Sequence, residues 1–242
     1  MQGRVVMSDT RIPPPPRMLF TLAGTPVQAD ISAPLNVIGT LGLCWVLVAQ
    51  RYPARSWFMR LILTVIWTVL FMAVFAIHSL GHIFSARAVG APMDTLLINA
   101  VHWVTLYHSS NVPPEAHIGR AVGGPLANLS AIVAGRVVRP VFPPGPFGRD
   151  LLDIFMAFNA FIGAAALMPT PSFDGGVLLK WAVYMQSGDV GQASRSVQEA
   201  GLTASAVLTA LAAAALLVGR RIAGTILAAF GLVAALESLR RD

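Results

Sequence analysis

The sequence predicts an all-α polytopic membrane protein: about six transmembrane helices with a small β element at the membrane surface. Three observations predict it. The 242 residues are 55% hydrophobic and 12% charged, with a mean hydropathy of +0.68, whereas a soluble domain carries about twice that charged share. The apolar residues are gathered into blocks rather than spread along the chain. Those blocks are long and rich in Ala, Leu and Gly, which suits helices and not barrel strands, and only helices or closed barrels satisfy their backbone in lipid.

Residues 1–17 close on Ile12-Pro13-Pro14-Pro15-Pro16-Arg17. Such a run cannot be helical and is expected to form a mobile, Pro-rich lead-in. The segment from Met18 to Asp30 is short and β-tolerant, and reads as a strand or hairpin on the membrane surface. Apolar spans follow at about 33–50, 57–82, 119–136 and 151–169, and two more at 202–218 and 222–237. Several hold only about 15–17 uncharged residues, the short end for a crossing. Residues 136–150 are Pro-, Gly- and Arg-rich and read as a loop, and 186–200 as a polar interfacial linker. The longest link, 83–118, contains a β-branched and aromatic run, Thr95 to Tyr107, expected as a strand or hairpin. A core over 18–186 and a pair of C-terminal helices in 187–242 is the expected organisation. Gly39, Gly42, Gly123, Gly124, Gly135 and Gly163 would let helices approach closely.

The net charge of +6 and pI near 10.7 fit flanks that face anionic lipid. No basic patch interleaved with aromatics points to nucleic acid, so no nucleic-acid partner is expected. The lone Cys44 excludes an intrachain disulfide. Basic residues divide almost evenly between alternate loops, so orientation is not legible from them.

Chemistry concentrates in three stretches. In Ile77-His78-Ser79-Leu80-Gly81-His82 the two histidines stand one helical turn apart on one face, within reach of one metal ion. A helical His pair is often only structural, but ionisable side chains inside an apolar span are costly and usually functional. The zinc-hydrolase form of this spacing is His-Glu-x-x-His, its glutamate the general base. Ser79 stands at that position. In Gly123-Gly124-Pro125-Leu126-Ala127-Asn128 a proline and an asparagine enter an apolar helix; a buried Asn needs partners and can donate to a carbonyl. In Leu167-Met-Pro-Thr-Pro-Ser-Phe-Asp-Gly-Gly176 two prolines and two glycines break a helix at membrane depth, tolerated only against protein or a wet cavity. Asp174 at the break needs a cation. With His78 and His82 it completes a three-ligand, catalytic-type zinc set. His102, His108 and His117, in the long link, read as polar surface.

These three motifs, in this order and spacing, resemble the signature elements of the site-2 protease family, intramembrane zinc metalloproteases that cut transmembrane helices of regulatory substrates. The resemblance covers roughly 18–186. It implies Zn2+ held by His78, His82 and Asp174. It implies a substrate-positioning role for Asn128, and substrate contacts for Asn159, Gly124 and Pro125. The segment Phe20 to Pro34 is similar to the surface strand of the compact six-helix branch, and 95–107 to a hairpin thought to pair with an unwound substrate. The partners implied are a transmembrane protein substrate or client helix and the bilayer. The place implied is a prokaryotic cytoplasmic membrane, with the chain integral and multi-pass.

Two residues depart from the family pattern: Ser79 replaces the general-base glutamate, and Ala166 stands where an Asn is common. Two functions are therefore expected to compete, an impaired intramembrane protease and a zinc-binding pseudoprotease that holds a transmembrane helix without cutting it. Glu115, beside Pro113 and Pro114, reads as a solvated loop residue rather than a replacement base.

Overall fold

The computed structural model describes residues 15–100, 103–109 and 111–239. Most of the Pro-rich lead-in, and His102, lie outside the described residues. The first hairpin pairs β1 (Arg17–Leu22) with β2 (Thr25–Ala29). Ala23 and Gly24 between them both take positive φ, +46° and +80°, the two-residue turn that matches the twist of paired strands. β2 then runs parallel to β3 (Thr95–Ile98), and β3 antiparallel to β4 (Trp103–Leu106). The two expected β segments are thus one four-stranded sheet, ordered β1-β2-β3-β4.

The helices are α1 (Ala33–Arg51), α2 (Trp57–Ala88), α3 (Pro114–Val138), α4 (Arg149–Ala166), α5 (Asp174–Ser187), α6 (Val190–Leu217) and α7 (Arg221–Leu239). Five of them, α1, α2, α3, α6 and α7, are long and apolar enough to cross a membrane, α3 counted with the 3-10 turn that extends it to Val141. The expected span at 151–169 is α4, 18 residues long, and its start carries Arg149, Asp150 and Asp153. Those charges are tied down: Arg139 donates to Asp153 through a two-pronged pair at 2.7 and 2.9 Å, and the Tyr52 hydroxyl donates to Asp150 at 2.9 Å. The start of α4 is thereby anchored to the ends of α3 and α1.

Two helices continue into the segments read as links. α2 runs six residues past His82, where Ile83 and Ala86 are buried, Ile83 in a cluster with Val27, Met93 and Leu96 that seats the sheet on the end of the helix. Within residues 186–200 the chain leaves α5 at Ser187 and enters α6 at Val190. Gly188, left-handed at φ +69°, turns the chain, and the Asp189 carboxylate caps α6 by accepting from the Gly191 and Gln192 amides.

The main core lies between α1, α2 and α4, where Cys44, Val48, Leu63, Trp67, Phe71, Val74, Phe158 and Ile162 are buried together. Phe158 meets Phe71 edge-on at 4.9 Å between centroids and Trp67 at 6.1 Å, the T-shaped geometry that aromatic quadrupoles favour. Large apolar side chains such as Ile38, Val69 and Leu232 are exposed on the outer helix faces, the arrangement that lipid rather than water accommodates.

Candidate metal centre

Three elements converge on one point. α2 carries His78 and His82 on the face turned to α3. α3 crosses it at glycines: a Cβ on Gly81 would stand 2.7 Å from both the Gly123 carbonyl carbon and Ala127 Cβ, so no larger residue allows this approach. α4 ends at Ala166, the Pro-rich loop turns back, and α5 opens on Asp174. The loop can close only because Gly175 and Gly176 lack side chains; a Cβ on Gly175 would meet Met168 O at 2.7 Å, and one on Gly176 Thr170 N at 3.1 Å.

The resulting triangle is tight. Asp174 Oδ2 lies 3.3 Å from His78 Nε2 and 3.3 Å from His82 Nε2, and the two Nε2 atoms are 3.0 Å apart. Ligands about 2.0–2.2 Å from one tetrahedral ion stand about 3.3–3.5 Å apart, so the donor set fits zinc closely. Among the described residues it is the group of three or more His, Cys, Asp and Glu placed to hold a metal ion. Glu115 is not in it; exposed, in the first turn of α3, it sits where a carboxylate complements the helix dipole. His108 pairs instead with Asp94 at 3.2 Å on the surface, and His117 stacks on Trp181 with centroids 4.0 Å apart.

Hydrogen bonds behind the triangle set its proton state. The Phe155 carbonyl can only accept, so the Asn159 amide nitrogen donates to it, at 2.9 Å. Asn159 Oδ1 then accepts from Asn128 Nδ2 at 2.9 Å. Asn128 Oδ1 is left to face His78 Nδ1 at 2.7 Å, so that nitrogen carries the proton. His82 Nδ1 likewise donates to the Arg120 carbonyl at 2.8 Å. In the neutral rings this leaves both Nε2 atoms with lone pairs turned toward the Asp174 carboxylate. Three acceptors aimed at one point repel unless a cation lies between them.

Asn128 and Asn159, expected at the substrate, are 1% and 0% exposed and lie in this chain behind His78. Pro125 stands inside α3 and has no N–H for the carbonyl four residues back. Ser79 is buried in α2 next to His78. Gly124 touches the imidazoles directly: a Cβ there would stand 2.5 Å from His78 Cε1 and 2.6 Å from His78 Nε2, and nearer still to His82 Nε2. Gly124→Ala is therefore expected to displace both rings, an overpacking cost of about 1–3 kcal/mol. Metal content should fall while helicity by circular dichroism stays at wild type.

Sequence reasoning missed Arg120, which it counted only as a charge. It is 5% exposed, donates to Ala91 O at 2.8 Å and Ser109 O at 3.1 Å, and holds its guanidinium 4.1 Å from the Tyr107 ring centroid. Burial pushes the Tyr107 hydroxyl up to about 12, so that ring stays neutral beneath the cation. One residue thus pins the link after β4 to α3 and offers its carbonyl to His82. The available signal was an arginine within an apolar span.

No protein-family model matches the chain. It is 24% identical over 165 residues to a zinc metalloprotease of Methanocaldococcus jannaschii, a match over 67% of this chain; it spans 44% of that relative's length. Its fold is that of a site-2 protease from Methanocaldococcus jannaschii, with a TM-score of 0.61, 18% identity, and coverage of 94% of this chain and 97% of the other. The resemblance to the site-2 protease family read from the three motifs is borne out. With five apolar helices in that fold, the chain is a multi-pass integral membrane protein.

Proposed function

We propose that the chain is a zinc-dependent intramembrane protease of site-2 type, acting on transmembrane helices, with hydrolysis slowed by Ser79. The observation that carries this reading is the convergence of three potential ligand atoms, His78 Nε2, His82 Nε2 and Asp174 Oδ2, at 3.0–3.3 Å from one another. When bound, zinc polarises a carbonyl and lowers the pKa of a water. His78, His82 and Asp174 would hold it, leaving the fourth position open. Asn128 and Asn159 orient His78, and the Arg120 carbonyl orients His82. Such outer partners are typically worth about 10–100-fold in metal affinity.

The residue at position 79 decides how far the chemistry runs. A carboxylate there would take the proton of the attacking water and pass it to the leaving amine. The Ser79 hydroxyl can hydrogen-bond that water but does not hold its proton near neutral pH. This favours a second reading, a pseudoprotease that grips a transmembrane helix without cutting it. Metal content together with cleavage of a model transmembrane substrate, with and without Ser79→Glu, tests both. Absence of metal from the purified chain would refute the two together.

The orienting role has its own expected outcome. Asn128→Ala should weaken zinc affinity about 10–100-fold, read by competition with a chelator. Asn128→Asp, which keeps an acceptor for His78 Nδ1, should lose less. Equal affinity in all three proteins would return Asn128 to the substrate.

A further inference from the structure

A separate cavity of about 220 Å3 lies beyond the Asp174 turn, walled by His117, Pro171, Gly176, Lys180, Ser194 and Gln198. Trp181, stacked flat on His117 at an interplanar angle of 6°, forms one side. Its walls are polar at this end: α5 is not among the helices long and apolar enough to cross a membrane, and the first three turns of α6 carry Gln192, Ser194, Arg195, Ser196, Gln198 and Glu199. Pro171 and Gly176 belong to the turn that presents Asp174, so the cavity shares that turn with the metal centre.

Val177 and Val197 complete the lining, and its charge is of one sign. Lys180, the single lysine of the chain, is half-buried on this wall. Among the described residues no carboxylate lines the cavity. A lysine offers three donors and a point charge, while Ser194 and Gln198 add neutral polar groups. The volume falls below the roughly 300–1,000 Å3 of cofactor and drug-sized sites. It suits one side chain or a very small acid, and excludes a nucleotide.

We propose that this cavity is a carboxylate-binding subsite recognised by Lys180, filled by an acidic side chain of a polypeptide lying at the metal centre. The polypeptide part rests on the protease or pseudoprotease reading; the carboxylate part does not. Ion pairing in a half-buried recess is stronger than on an open surface, where pairs contribute little.

The test uses the purified full chain in detergent micelles and calorimetric titration with two probes. One is succinate. The other is a transmembrane peptide carrying Asp, Asn or Lys just outside its apolar stretch. Wild type should bind the Asp peptide about tenfold tighter than the Asn peptide, a typical low value for a charge-assisted hydrogen bond. Lys180→Met should erase that preference, Lys180→Arg should retain most of it, and Lys180→Glu should transfer it to the Lys peptide. Zinc content should match wild type in all three, which separates this subsite from the metal centre. Succinate binding that depends on Lys180, without any Asp preference, would keep the carboxylate and overturn the polypeptide source. No peptide binding at all, with Lys180-dependent succinate binding intact, would point to failure of the protease reading instead. Succinate and peptide binding both indifferent to Lys180→Met would overturn the subsite.

Discussion

Asp174→Ala should leave the purified chain without its metal, and His78→Ala and His82→Ala should do the same. Wild type is expected to hold about one zinc per chain by elemental analysis. The expectation follows from the triangle itself. Its three corners are 3.0–3.3 Å apart, and each offers one atom able to ligate a metal ion. Removing one corner leaves two protein ligands, too few for the three-ligand catalytic arrangement. Losing an outer partner alone costs about 10–100-fold in affinity, so losing a ligand should cost at least that much. Occupancy should drop by more than about tenfold after dialysis against a weak chelator. The three variants are not equivalent structurally. Asp174 opens α5 and is partly exposed, so its alanine variant should fold with the least disturbance, whereas His82 is buried and bonded to α3. Full occupancy in Asp174→Ala, with both histidine variants empty, would show that the third ligand comes from elsewhere.

The parts of this centre that were legible are those where local spacing dictates geometry. His78 and His82 share a helix face whatever the rest of the chain does. The prolines and glycines of 167–176 break a helix wherever they are placed, and the carboxylate at such a break demands a partner. What was not legible depends on long-range closure. The parallel pairing of β2 with β3 joins residues about 70 positions apart, and nothing in either segment names the other. The extension of α2 to Ala88 follows from packing under the sheet, because an apolar run reads alike in lipid and in a protein core. The role of Arg120 is carried partly by its backbone carbonyl, an atom every residue has. The amide chain from Phe155 to His78 spans three helices, so sequence could offer two asparagines but not their direction. The helix α5, short and interrupted by Lys180, shows neither the length nor the apolarity of a span.

Ser79→Glu should raise cleavage of a helix-destabilised transmembrane substrate by at least about 10²-fold over wild type, the low end for a general base. Position 79 follows His78 directly in α2, and its side chain is 2% exposed, inside the protein rather than toward lipid. A carboxylate there would find the metal face of the helix already built: His78 held by Asn128, His82 held by Arg120, and Gly124 leaving room between the imidazoles and α3. The variant must bury one added charge, a cost that a nearby dication offsets and an empty centre does not. Ser79→Glu is therefore expected to fold less well when metal is stripped, and His78→Ala should abolish the gain in cleavage. Wild type should cut near background. A wild type that already cuts at a rate Ser79→Glu barely changes would point to another base, and Glu115→Gln is then the variant to compare. If Ser79→Glu binds zinc and a transmembrane helix with wild-type affinity and still does not cut, proton transfer is not what is missing. The groove has then been reshaped for holding helices, and the pseudoprotease reading prevails.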